Sequence, residues 1–113
     1  MTNLELAKKI ASVLDEKKAV SIQIKKVEDL TVLTDYFVIC NGTSNTHIKS
    51  LADEVEFRLK QEGVTGHVEG KSSDWILVDF GTVIAHIFLP NAREQINLEH
   101  LWSDAEEIPL VGD

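Results

Sequence analysis

Leu6, Ile10, Val13 and Leu14 recur at helical spacing with Lys8, Lys9, Glu16 and Lys17 between them, which predicts an amphipathic helix over about Leu4 to Lys17. Val20, Ile22 and Ile24 then alternate with Ser21, Gln23 and Lys25, the period of a half-buried strand near a sheet edge. Tyr36 to Cys40 is apolar throughout, as expected of a strand covered on both faces at the sheet centre. Asn41 to Asn45 breaks the run, and Ile48, Leu51, Ala52, Val55 and Leu59 resume at helical spacing towards a C-terminal cap at Gly63. His67 to Glu69 reads as a short strand. Trp75 to Phe80 and Val83 to Leu89 flank Gly81-Thr82, a two-residue connection that closes a tight hairpin. Pro90 opens a short helix to about Gln95, and Leu98, Leu101 and Trp102 form a last apolar segment before an acidic tail.

This order predicts an α/β fold, a single mixed β-sheet of about five strands flanked by helices. A length of 113 residues with 43% apolar composition suits one domain over residues 1–113. No repeat or linker-like tract divides the chain. The apolar runs are far shorter than the roughly 18 residues a membrane-crossing helix needs. The first residues have no apolar signal core, so the expected location is the cytoplasm. The one cysteine, Cys40, excludes an internal disulfide.

Charge narrows the class of partner. The formal net charge is −8, and nine of the eleven Lys and Arg precede residue 61, so the C-terminal half is strongly acidic. That sign opposes extensive binding to phosphate backbones and favours a basic protein partner.

Candidate chemistry is sparse. Gly42-Thr43-Ser44 lies between a buried strand and a helix start, where a nucleotidyltransferase would bind phosphate. Such an enzyme also needs two carboxylates two residues apart on a following strand to hold magnesium. Asp74 and Asp79 are five apart on one strand, and Asp104 and Glu106 lie in the tail, so the better reading is a turn at Gly42 with Ser44 or Asn45 capping a helix. Histidines 47, 67, 86 and 100 have no metal-ligand spacing. His86 interrupts an apolar strand and must be hydrogen-bonded or face a partner. Cys40 reads as core and not as a nucleophile. Trp102 reads as an anchor for the C-terminal segment, whereas Trp75, at a strand start after a polar loop, fits core packing and a contact face about equally.

The blocks Asp35-Tyr36-Phe37-Val38-Ile39-Cys40-Asn41-Gly42-Thr43-Ser44 and His47 to Val55, then Val68-Glu69-Gly70, Asp74 to Gly81, Val83 to Phe88 and Leu98-Glu99-His100-Leu101-Trp102, together resemble the ribosomal silencing factor (Iojap) family. The resemblance runs from about Leu4 to Leu110. It implies a nucleotidyltransferase-like fold without the catalytic carboxylates, no enzymatic activity and no cofactor or metal. It also implies binding to the large ribosomal subunit through its ribosomal protein number fourteen, which blocks joining of the small subunit and represses translation when nutrients are scarce. The family's binding face corresponds to Glu69, Gly70, Trp75, Ile76, Leu77, Asp79 and His86, with Trp75 as anchor and Asp79 as a carboxylate for a basic group. Asp35, Gly42 and Thr43 match with structural roles. Arg93 to Asn97 departs from the family pattern, with Gln95 and Ile96 where aromatic residues are expected. The family leaves a homodimer open, and its organellar members make a large-subunit assembly factor the alternative function, ahead of a nucleotide-binding enzyme.

Overall fold

The structure, a computed structural model, describes residues 1–110. Its first helix, α1 (Asn3–Glu16), starts where a capping box dictates. Thr2 Oγ1 accepts the Glu5 N–H at 3.1 Å, and the Glu5 carboxylate accepts the Thr2 N–H at 2.7 Å. The predicted stripe of Leu6, Ile10, Val13 and Leu14 is buried. Strands β1 (Val20–Lys26) and β2 (Tyr36–Asn41) follow, then helix α2 (Asn45–Gln61), capped by the Ser44 side chain. Gly63, at φ +81°, stands one residue past the α2 C-cap, in the left-handed region that glycine enters without penalty.

The remaining elements are β3 (His67–Glu69), β4 (Trp75–Asp79), β5 (Val83–Phe88), α3 (Pro90–Ile96), α4 (Leu98–Leu101) and β6 (Glu106–Ile108). The strands form one mixed sheet in the order β3-β4-β5-β2-β1-β6. Among the described strands only β2 and β5 run parallel, and they occupy the centre, as the apolar run of β2 requires. The hairpin between β4 and β5 turns at Gly81-Thr82, with Gly81 at φ +87° and a Phe80 N–H to Val83 carbonyl bond of 2.9 Å.

A sixth strand adds to the expected sheet. Residues 106–108, read from sequence as tail, pair antiparallel with β1, setting Glu107 opposite Lys25 and Glu106 opposite Lys26. Opposite charges across a ladder stabilise a strand whose three residues carry too little pattern to announce it. This strand also covers the outer edge of β1. At Gly42 the reason for glycine is close approach: a Cβ there would lie 2.5 Å from the buried Ile48 side chain.

The two faces of the sheet are covered unequally. One face, with Ile24, Val38, Cys40, Ile76, Val78, Val83, Ala85 and Ile87, packs under α1 and α2. The other packs Val27, Phe37, Ile39 and Phe88 against Ala92, Leu98, Ala105 and the partly buried Trp102 of the C-terminal segment. That segment extends over β1, β2 and the end of β5, and it leaves the face of β3 and β4 open.

Candidate functional site

Strand pairing decides which side chains share the open face. In the β4/β5 ladder Trp75 is opposite Phe88, Leu77 opposite His86 and Asp79 opposite Ile84. In the β3/β4 ladder His67 is opposite Asp79 and Glu69 opposite Leu77. These residues form three cross-strand rows on one side of the sheet. His67 and Glu69 are exposed, while Trp75, Leu77, Asp79 and Ile84 are half-buried. The face is therefore mixed, with apolar Trp75, Leu77 and Ile84 bordered by the carboxylates of Glu69 and Asp79.

Of the residues expected on this face, Ile76 lies elsewhere. It is 0% exposed, belongs to the core beneath α2 and supports the strand from behind. Successive strand residues point to opposite faces, so Trp75, Leu77 and Asp79 exclude Ile76 from their side. Ile84 and His67 complete the face and were missed. Their signal was available, because counting outward from a two-residue turn places Ile84 opposite Asp79.

Gly70 shapes the approach to Trp75. It has φ +80°, and a Cβ there would meet the Trp75 carbonyl oxygen at 2.5 Å. The Ser73 hydroxyl lies 2.8 Å from the Gly70 carbonyl and 2.7 Å from that of Trp75, closing the loop that launches β4. Asp79 is likewise engaged in a turn, its Oδ1 accepting the Gly81 N–H at 2.7 Å. The same carboxylate that was expected to meet a basic partner thus also fixes the hairpin.

Beneath the face lies a cluster of rings. The Trp75 indole stacks on Phe88 with centroids 5.4 Å apart and planes 19° apart. Its Nε1–H donates to His86 Nδ1 at 3.1 Å. His86 meets Phe37 edge to face at 4.8 Å, and Phe37 meets Trp102 the same way at 5.5 Å. His86 is only 5% exposed, and burial pushes its pKa down to about 4, against a weak opposing pull from Asp79. The imidazole is neutral at neutral pH. Trp102 anchors the C-terminal segment as expected.

The other candidate groups have structural partners. Ser44 accepts the His47 N–H at 3.1 Å, and His47 spans from the Thr43 N–H at 2.9 Å to the Lys17 carbonyl at 2.9 Å, tying α2 to the end of α1. Burial pushes the Cys40 thiol up to about 12, which leaves it protonated and unreactive at neutral pH. Asp74 immediately precedes β4 and Asp79 ends it, so the two carboxylates are a strand's length apart. No helix among the described residues is long and apolar enough to cross a membrane.

A family model described as "Ribosomal silencing factor during starvation" matches residues 1–112. The ribosomal silencing factor RsfS of Halalkalibacterium halodurans is 32% identical over 99% of this chain and 97% of its own length. The mouse protein named mitochondrial assembly of ribosomal large subunit protein 1 is 34% identical over 83% of this chain and 43% of its own. A crystal structure of a Chromobacterium violaceum protein superposes with a TM-score of 0.89 at 33% identity, covering 99% of this chain and 95% of that one.

Proposed function

Because the chain belongs to the ribosomal silencing factor family, we propose that it binds the large ribosomal subunit through the open face of β3, β4 and β5 and thereby keeps the small subunit from joining. The observation that carries this reading is the uneven cover of the sheet, which leaves half-buried Trp75, Leu77 and Ile84 beside the carboxylates of Glu69 and Asp79. An apolar centre with an acidic rim suits a basic protein surface, and the net charge of −8 favours the same partner. The direct partner in this reading is the large-subunit protein number fourteen, contacted by Glu69, Trp75, Leu77 and Asp79, with Gly70, Ile76 and His86 holding the face from within. The site of action is the cytoplasm, and the effect is repression of translation. No bond needs to be made or broken. A folded body of this size, seated where the subunits meet, excludes the small subunit by volume, and its charge repels small-subunit RNA.

Cosedimentation with separated ribosomal subunits tests the docking step. The native chain is expected to pellet with large subunits and not with small ones. Trp75→Ala, verified as folded by circular dichroism, is expected to bind at least about 30-fold more weakly, the effect of losing a central aromatic anchor. Native chain that pellets with neither subunit would refute the reading. The name of the mouse relative supports a second reading, assembly of the large subunit. It predicts accumulation of immature large subunits in cells lacking the protein, and mature subunits in normal proportion would exclude it.

A further inference from the structure

We propose that His86 is a positioning residue, which holds the Trp75 indole in one orientation so that the open face meets its partner with that ring already set; the inference rests on the docking face proposed above. The bond that does this joins Trp75 Nε1–H to His86 Nδ1 at 3.1 Å. It runs diagonally across the β4/β5 ladder, because His86 stands directly opposite Leu77 and Trp75 opposite Phe88. Accepting at Nδ1 puts the imidazole proton on Nε2. The held ring and the holding ring differ in access: Trp75 is half-buried, whereas His86 is 5% exposed. A partner on this face reaches Trp75 and not His86.

The remaining geometry supports a setting role. The indole is fixed from a second side by Phe88, 5.4 Å away and nearly parallel. His86 is itself wedged edge to face by Phe37 at 4.8 Å, and Trp102 backs Phe37 at 5.5 Å. The seating of the C-terminal segment is thereby linked to the orientation of Trp75 through three ring contacts. The choice of residue also needs a reason. Ala85, Ile87 and Phe88 show that β5 otherwise carries apolar side chains, yet position 86 buries an imidazole whose Nε2 has no hydrogen-bond partner among the described residues. Burying that nitrogen has a cost which an apolar side chain would not incur. Capture of the indole N–H is the compensating interaction, and no residue without an acceptor at that place could make it.

A fixed Trp75 loses less rotamer freedom on docking than a free one, which corresponds to about 3- to 10-fold in affinity. The test uses the full chain with ¹⁵N-labelled indoles, the two signals being assigned with Trp75→Phe. His86→Leu keeps the volume and removes the acceptor; His86→Asn keeps an amide oxygen near the place of Nδ1. Solvent exchange of the Trp75 indole N–H is expected to be slow in the native chain and His86→Asn, and fast in His86→Leu. Affinity for isolated large subunits should fall about 3- to 10-fold in His86→Leu and recover in His86→Asn, whatever the melting temperatures of the two variants. Unchanged indole protection in His86→Leu, or full affinity with a freed indole, would overturn the proposal while leaving the docking face intact. A native chain that fails to bind large subunits would instead overturn the docking face, and the positioning role with it.

Discussion

Arg93→Ala is expected to destabilise the fold by about 3 kcal/mol, the lower part of the range for breaking a buried charge pair. Arg93 is 8% exposed and ties together three parts of the chain. Its guanidinium donates to the Ser21 carbonyl at 2.6 Å, to Asn41 Oδ1 at 3.1 Å and to Glu99 Oε2 at 3.1 Å. Ser21 sits in a β-bulge at φ +53°, where the ladder between β1 and β2 is interrupted, so its carbonyl depends on this contact. Alanine leaves that oxygen and the Glu99 carboxylate without their cation. Glu99 retains some access to water, which keeps the loss from the upper part of the range. Thermal unfolding should show a drop on the order of 10 °C for a domain of this length. Adding Glu99→Ala should recover part of the loss, because it removes the stranded charge. A melting temperature unchanged by Arg93→Ala would mean that the C-terminal segment is held by apolar contacts alone.

The second large effect is a dependence on pH. His86 takes up a proton near pH 4 in the folded chain and near 6.5 when unfolded, because burial opposes its charged form. Between those values the unfolded chain binds a proton that the native one does not, so stability rises with pH through the window and is lost as pH falls from about 6.5 towards 4. The shift corresponds to a loss on the order of 3 kcal/mol. Carboxylates titrate in part of the same range, so the quantity to measure is the difference between the native chain and His86→Leu. Urea midpoints of the native chain should fall relative to those of the variant across this window. Parallel curves would show that His86 is charged as readily in the fold as in water.

The two residues differ in how plainly the sequence presents them: His86 stands out in an apolar strand, whereas Arg93 does not. The helices α1 and α2 and the β4/β5 hairpin are legible because long periodic runs and a two-residue turn constrain them. Strand β6 is not, since three residues of which two are glutamate show no period, and only their pairing with Lys25 and Lys26 makes a strand of them. Arg93 shows the same limit. In the sequence it stands out as one of two cations after residue 61 and as the start of a departure from the family pattern, and nothing local says that its partners are Ser21 and Asn41, far away along the chain. A lone cation between Ala92 and Leu98 in an acidic half was the available signal.

The proposed docking face is half legible in the sequence. Period two separates Trp75, Leu77 and Asp79 from Ile76 and Val78, yet it does not say which set the helices cover. That is decided by α2 packing on Ile76 and Val78. Trp75 lies half-buried on the side that the helices leave free, where the proposed anchor would stand. Asp79 and Gly70 carry turn functions that a match of sequence blocks cannot distinguish from contact functions. His86, read from sequence as either a satisfied histidine or a contact, is bonded on one nitrogen only among the described residues, and its partner is Trp75.

Occupancy of the large subunit by the proposed face should prevent subunit joining. The most direct measurement is light scattering on mixing purified large and small subunits, with the large subunits preincubated with native chain or with Trp75→Ala. The native chain is expected to lower the joined fraction in proportion to its occupancy, while the folded variant leaves joining unchanged at the same concentration. Undiminished joining by large subunits saturated with the native chain would contradict this.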